Sequence, residues 1–367
     1  MMNFPYDIFG LSEKNDMWEE LRQSKKPIVM YGMGDGADKI LAVLESRGIS
    51  VSDFFASDGF VRGQTFHSKK VLSFSEIKNK YEDFVIILSF GSSRREVLDF
   101  IYSLDDAYDV RVPDLPVCGN GLFDKAAFLT EYDNVIRARS LLSDERSVNL
   151  FDDLVRYKLS GKIEFLRNNF STVGDMYNEL LPTEKYVTAL DLGAYIGDSA
   201  VRMTEYFGNI RKIIAVEPDK RSFGKLSFFA DGITGVRILP INVCVADFVG
   251  ETHFSQEGNR NSSVNGRKKQ STVKVSTVDS IVGDEKIDYI KIDVEGNEAA
   301  ALRGGLETMK RCMPDIALSV YHRANDFFEL ILYLHEICPE YRLYLRRPEY
   351  LPPWDITLFA LSNCKDK

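Results

Sequence analysis

Five cysteines in 367 residues, at 118, 244, 312, 338 and 364, are odd in number, scattered and without a C-x-x-C pair. That spacing argues against a disulfide framework, and Cys244 and Cys338, in apolar surroundings, read as core residues. Histidine is scarcer: the four, at 67, 253, 322 and 335, never pair at zinc-ligand spacing, so no structural metal is expected. Long apolar runs are missing too. The longest, Phe84 to Leu88, is far short of a membrane span, and MMNFPYDIFG lacks a basic segment followed by an apolar core. A cytoplasmic protein with no membrane span is expected. Positive charge is in deficit, 46 Lys and Arg against 55 Asp and Glu for a net charge of −9, which disfavours a general nucleic-acid or anionic-membrane binder. Arg267-Lys268-Lys269 and Arg346-Arg347 are the tight basic clusters, and the first reads as a solvated loop. What remains is ordinary for a globular chain, 44% hydrophobic and 28% charged, with length for two or three domains.

The most informative stretch is ALDLGAYIGDSAVRMTEYFGNIRKIIAVEPD, residues 189–219. An apolar run ends in Asp191, a loop with Gly193, Ala194, Tyr195 and Gly197 follows, and a helix opens at Asp198 with Val201, Met203 and Phe207 on its apolar face. A second strand, Lys212 to Val216, ends in Glu217-Pro218-Asp219, where Pro218 breaks the strand and Asp219 can cap the next helix. This is a βαβ unit. Glu217 stands about 20 positions beyond the loop, where a Rossmann-type fold holds ribose hydroxyls on a carboxylate. The spacing D-x-G-x-x-x-G puts Asp191 at the loop mouth, where it would repel a pyrophosphate and suit an ammonium or sulfonium group. S-adenosylmethionine carries both charges and one ribose.

With LDLGAYIGDSA come AVEPD, VCVADFVGETHFS, KIDVEGNEAAALRGG and ITLFAL, in that order. Together they resemble the FkbM family of S-adenosylmethionine-dependent methyltransferases, over roughly residues 185 to 361. The resemblance implies a class I methyltransferase fold, an α/β Rossmann-like doubly wound sheet with its ligand beyond the carboxyl ends of the strands. Asp191, Glu217, Asp247, Asp293 and His322 all stand at such ends. The resemblance implies that Asp247, after Ala246, accepts the adenine amino group; a turn residue before Gly250 is the alternative. It also implies that the helical segment before the glycine loop lies over the cofactor as a lid, which makes Tyr177 a candidate cofactor or substrate contact.

Ahead of this half, a second βαβ pattern begins at Pro27. PIVMY is a strand, Gly32-Met33-Gly34-Asp35-Gly36-Ala37 a turn, and Ile40, Leu41, Val43 and Leu44 a helical face stopped by Gly48. Val51 to Phe55, Lys70 to Leu72 and Phe84 to Phe90 are extended, and Phe74 to Lys80 is helical. The turn satisfies a relaxed G-x-G-x-x-A fingerprint, with Asp58 as a conceivable ribose acceptor. Asp35 would crowd a phosphate there, so a scaffold is the preferred reading. This front part is similar to the small Rossmann-like domains of bacterial sugar-modifying enzymes. Residues 12–26 hold a helix starting at Ser12, and helices span Asp124–Leu142 and Ser147–Leu159, the latter ended by Gly161. The expected division is an N-terminal Rossmann-like α/β domain over 1–113, a helical connector or lid over 114–185, and the methyltransferase domain over 186–367.

Beyond Cys244 a hairpin joins Thr252–Ser255 to Thr272–Val278 through a polar loop, GNRNSSVNGRKKQ, whose Asn261, Ser262 and Ser263 could face substrate hydroxyls. Methyl transfer to an alcohol needs in-line alignment and a proton acceptor. The candidates are Asp293 first, then His322, whose ordinary pKa suits a base near neutrality, and Glu295. Glu298 reads as helix N-terminal electrostatics. Asp293 and Glu295 could hold Mg²⁺, but a third clear carboxylate is missing, so no obligatory metal is expected. The leading expectation is an O-methyltransferase acting on a hydroxyl of a sugar, glycan or related small molecule, as in polysaccharide biosynthesis, with a homo-oligomer left open. A nicotinamide-dependent sugar oxidoreductase or epimerase using the front turn, or a non-catalytic cofactor-binding assembly protein, stays open beside it.

Overall fold

A computed structural model describes residues 8–11, 14–119, 121–255 and 270–362. Ser12, the loop residues Asn261, Ser262 and Ser263, the Arg267-Lys268-Lys269 cluster and Cys364 lie outside the described residues.

The first helix, α1 (Met17–Gln23), starts at Asp16, whose carboxylate accepts from the Glu19 amide, a cap worth about 1 kcal/mol. Its buried Met17, Trp18 and Leu21 pack on the sheet that follows. That sheet alternates with helices: β1 (Ile28–Tyr31), α2 (Asp35–Ser46), β2 (Asp53–Ala56), β3 (Thr65–Phe66), β4 (Lys69–Ser73), α3 (Phe74–Lys80), β5 (Val85–Leu88), α4 (Arg95–Asp105) and β6 (Asp109–Arg111). The strand order is β3-β4-β2-β1-β5-β6, parallel except for β3. Strands β1 and β5 are buried along their whole length, as their unbroken apolar sequences IVMY and VIIL require of parallel strands covered on both faces.

Four helices connect the two sheets: α5 (Lys125–Thr130), α6 (Tyr132–Ser140), α7 (Glu145–Ser160) and α8 (Val173–Leu180). The single helix expected over Asp124–Leu142 is two, because Glu131 leaves helical geometry at φ −97°, ψ 9°. Gly161, left-handed at φ +66°, ends α7. This connector is built into the second sheet. Ser143 and Ser147 hydroxyls accept from the Leu343 and Leu345 amides, and Asp144 pairs with Arg346 at 2.6 Å. An exposed strand edge is thereby covered.

The second sheet comprises β7 (Thr188–Leu192), α9 (Asp198–Tyr206), β8 (Lys212–Val216), α10 (Lys220–Gly232), β9 (Arg237–Ile241), then β10 (Cys244–Val245), β11 (Gly250–Ser255) and β12 (Gln270–Ser276), which form a separate small sheet. After α11 (Val278–Val282) come β13 (Tyr289–Ile292), α12 (Glu298–Arg303), α13 (Leu306–Cys312), β14 (Asp315–Ser319), α14 (Asp326–Ile337), β15 (Arg342–Arg346) and β16 (Thr357–Leu361). The order is β15-β16-β14-β13-β7-β8-β9, with β16 inserted antiparallel between β14 and β15. This is the doubly wound α/β sheet that the sequence predicts. The hairpin of β11 and β12 is also present, but the chain becomes helical at Val278, where the Thr277 hydroxyl caps α11. The order of each sheet turns at its centre, at β1/β5 and at β7/β13, and such switch points open crevices at the carboxyl ends of strands. Both crevices open into one cavity.

Candidate active site

The cavity has a volume of about 920 Å³. One wall is the loop between β7 and α9. Gly193 (φ +82°) and Gly197 (φ +101°) both hold backbone angles that side chains resist. A Cβ at Gly193 would sit 1.8 Å from the Asp293 carbonyl oxygen, so glycine is required for the loop to lie against the end of β13. The Gly193 and Ala194 amides donate to the Val216 carbonyl, and the Tyr195 amide donates to Glu217 Oε2 at 2.9 Å. Glu217 Oε1 accepts from the Asp219 amide. Burial pushes the Glu217 carboxyl up to about 7 against these amide hydrogen bonds. Glu217 thus fixes the loop while still lining the cavity, with further lone pairs for a ligand hydroxyl.

A chain of alternating charges runs beneath the cavity and reaches its lining at Lys291, Asp293 and Glu295. Lys291 Nζ lies 3.5 Å from Asp191 Oδ1 and 3.6 Å from Asp293 Oδ2, and donates to the Gly193 carbonyl. His322 Nε2 is 3.6 Å from Asp293 and 3.5 Å from Glu295, and its Nδ1 is 3.0 Å from Glu298. Glu298 Oε1 accepts from the Val294 and Gly296 amides, closing the turn after β13. The turn holds Glu295 at φ +53°, left-handed although it is not glycine, a strain of about 1 kcal/mol or more of the kind found at functional sites.

These neighbours set the proton affinities. Burial disfavours the charged His322 ring, but Glu298, Asp293 and Glu295 outweigh it and raise its pKa to about 10. Burial pushes Glu295 up to about 7, with His322 opposing and Asp293 and Glu298 adding to the rise. For Asp293 burial is overcome by Lys291 and His322, and its carboxyl stays below the usual range.

Eight of the residues expected at the methyltransferase site line the cavity: Tyr177, Gly193, Tyr195, Asp198, Glu217, Pro218, Asp293 and Glu295. Others do not. Asp191 is fully buried behind the wall, accepting from Ser199 Oγ and facing Lys291. Ser199 and Lys291, which line the cavity, stand between it and the cavity, so Asp191 does not face a ligand's positive charge directly as expected. Ala194 and Gly197 shape the loop from behind, Gly197 against the Phe229 ring. Ala246 is buried outside the cavity, and Asp247 is exposed and held by Arg303 at 2.7 Å, because the chain turns away there into the small sheet. His322 is wholly buried and already protonated at neutrality, so it is not the free base expected.

Sequence reasoning missed Lys291, although a lysine inside the apolar strand YIKI was a signal, since a cation there needs paired carboxylates. It also missed Ser199 and Arg202 on the cavity-facing side of α9, residues 350–355 on the cavity wall, and Glu298 as a third carboxylate beneath it; the front turn, for which a scaffold was the preferred reading, lines the same cavity. Asp293, Glu298 and His322 bring donor atoms within 4.8 Å of one another, a grouping that could hold a metal ion.

The site has the chemistry to take S-adenosylmethionine. Glu217 suits ribose hydroxyls, Val216, Pro218, Cys244 and Val245 offer an apolar edge for a base, and Arg202 and Lys291 offer cations for a carboxylate.

Comparison with known proteins agrees with the architecture. The structure of methyltransferase FkbM from Methylobacillus flagellatus KT matches with a TM-score of 0.71 at 20% identity, over 94% of this chain and 92% of that one. An rRNA methylase from Streptococcus thermophilus matches at TM-score 0.34 and 14% identity, over 51% of this chain and 92% of its own. Precorrin-6y C5,15-methyltransferase from Geobacter metallireducens GS-15 matches at TM-score 0.34 and 11% identity, over 54% and 96%. No curated protein matches the chain. The likeness over nearly the whole length is one of fold, Rossmann-like and of the class I methyltransferase type. Residues 191–347, which hold most of the sheet whose carboxyl ends build this site, match the methyltransferase FkbM domain.

Proposed function

We propose that this methyltransferase uses S-adenosylmethionine to methylate a hydroxyl of a sugar, glycan or related small molecule. The observation that carries the reading is the placement of Asp293 and Glu295 on the wall of the cavity that also holds the Gly193 loop and Glu217. Bound there, S-adenosylmethionine would supply an electrophilic methyl group. Among the described residues no helix is long and apolar enough to cross a membrane, and we place the enzyme in the cytoplasm acting on a small acceptor. Its net charge of −9 disfavours nucleic acid.

Within this reading the proton acceptor is Glu295. Its carboxylate has the highest proton affinity among the cavity-lining acids at the end of β13, near neutrality where a general base is most effective. Asp293, held ionised by Lys291 and His322, would accept a hydrogen bond from the acceptor hydroxyl and orient it. His322 serves as a buried counter-charge to Asp293, Glu295 and Glu298. The imidazolium proton fills the place a metal would take, so no obligatory metal is proposed.

Calorimetric titration with S-adenosylmethionine, S-adenosylhomocysteine and NAD(H) tests the cofactor. Micromolar binding of the two sulfur ligands alone is the expected result. Binding of NAD(H) alone would move the active site to the front turn and refute the methyltransferase reading.

A further inference from the structure

The cavity is larger than the carboxyl ends of the second sheet alone require, because the N-terminal sheet supplies its opposite wall. Gly34, Asp35, Gly36 and Lys39, from the turn between β1 and α2, line it together with Ser89 and Phe90 at the end of β5. Tyr350 and Trp354, from the connection between β15 and β16, line it too. Their ring centroids are 5.6 Å apart with planes tilted by 33°.

This aromatic pair is fixed to the N-terminal sheet. The Ser92 amide donates to the Leu351 carbonyl at 2.8 Å and the Leu351 amide returns the bond to Ser92 at 3.1 Å. Glu349 accepts from Arg95 and from the Tyr102 hydroxyl. Gly91 lies so close that a Cβ would sit 2.7 Å from the Trp354 ring and 2.9 Å from that of Tyr350. The connection leaves one sheet and docks on the other, carrying two rings to the boundary of a shared cavity.

We propose that this end of the cavity is the acceptor subsite, and that it takes an uncharged hexopyranose ring. The inference rests on the methyltransferase reading above, which assigns the opposite end to the cofactor. Tryptophan and tyrosine rings provide the flat apolar faces on which a sugar's C–H surface lies. Asp35, Lys39 and the Ser89 hydroxyl are polar groups on the facing wall, the two charges being of opposite sign. The first turn of α2 disfavours a phosphate, because Asp35, on the wall, and Asp38, behind it, already answer the helix dipole and Lys39 balances only one of the two. The ring could arrive in a free saccharide or linked to a nucleotide; the chemistry of the ring is common to both.

The chain has two tryptophans, Trp18 and Trp354, and Trp18 is buried in α1. A Trp18→Phe protein therefore reports on Trp354 alone. Its emission is to be followed during titration with methyl hexopyranosides, with UDP-hexoses and with UDP, beside calorimetry of S-adenosylhomocysteine. We expect a saturable change with at least one sugar ring. Trp354→Ala and, independently, the exposed-turn variant Asp35→Ala are expected to weaken that sugar by about tenfold, read by calorimetry, with S-adenosylhomocysteine affinity within about twofold of the parent. Trp354→Phe, which keeps a ring, should restore most of the loss.

Binding of methyl hexosides assigns a free saccharide, and binding of UDP-hexoses but not UDP assigns a nucleotide-linked one; either supports the subsite. UDP binding as well as its hexose conjugates, sugar binding unaltered in both variants, or no sugar binding by a protein that does bind S-adenosylhomocysteine would each overturn it. Failure to bind S-adenosylhomocysteine at all would instead remove the methyltransferase reading, and the subsite with it.

Discussion

Lys291 stands opposite Asp191 in the pairing of β13 with β7, and its ammonium lies 3.5 Å from a carboxylate that is wholly buried. Asp191 Oδ2 accepts from Ser199, whereas Oδ1 has no hydrogen-bond partner, so Lys291 is the charge that makes Asp191 tolerable there. Lys291→Met should destabilise the protein by about 3 kcal/mol in denaturant unfolding, with Asp191→Asn in the same chain recovering about half. Burial already raises the Asp191 pKa, so the deficit should shrink as pH falls and Asp191 takes up a proton. An undiminished deficit in the double variant would show that the lysine acts through packing alone.

The acids at the end of β13 predict a pH profile. With Glu295 near 7, methyl transfer should rise with pH through about 7, then fall as His322 loses its proton near about 10. Stability follows from the same two groups. Both pKa values are raised on folding, Glu295 from 4.5 and His322 from 6.5, so their contributions are present at low pH. That of Glu295 is lost as pH rises through about 7, and that of His322 as it rises toward about 10. Glu295→Gln should lower kcat by about a hundredfold or more while S-adenosylhomocysteine affinity stays within about twofold. A flat rate profile across neutrality, or full activity in Glu295→Gln, would return the proton-accepting role to Asp293.

Asp247 offers a sharp negative. Its carboxylate is exposed, pairs with Arg303 and does not line the cavity. Asp247→Ala should therefore leave S-adenosylhomocysteine affinity within about twofold and stability within about 1 kcal/mol, as for other surface ion pairs. A tenfold loss of affinity would restore the adenine-binding role that the family resemblance implies.

Those contrasts show which features the sequence carries openly. The glycine loop, Glu217 and the strand end at Asp293 are local: each is set by a strand, a turn residue and a helix cap within a few positions, and each was legible. His322 was misjudged because its chemistry depends on Glu295 and Glu298, far from it in the chain but brought against it by the turn after β13. Asp247 was misjudged because only β10's pairing with β12, a long-range contact, reveals that the chain has left the main sheet. The front turn was read correctly as a βα turn, but its partner wall, Tyr350 and Trp354, stands more than three hundred residues away. No periodicity encodes such a meeting.

Gly91 tests how that meeting is held. A Cβ there would collide with Trp354 and Tyr350, so Gly91→Ala should cost about 2 kcal/mol and shift the emission of Trp354 in a Trp18→Phe background. Unchanged stability and emission would show that the aromatic pair is not braced by the end of β5.

Asp293, Glu298 and His322 could in principle hold a divalent ion, since their donor atoms lie within 4.8 Å of one another. Two features oppose it. Glu298 Oε1 is already committed to the Val294 and Gly296 amides, and the three surrounding carboxylates raise the His322 pKa to about 10, so a metal would have to expel a tightly held proton. Dialysis against a chelator should leave methyl transfer and the unfolding midpoint unchanged, and added Mg²⁺ or Mn²⁺ should not raise either. His322→Gln, which removes the counter-charge, should destabilise the protein and move the rising limb of the rate profile to higher pH, because Glu295 loses the group that opposes its protonation. Activity abolished by the chelator and restored by Mg²⁺ would show instead that His322 is neutral and ligates the ion, and the turn after β13 would then be a metal loop.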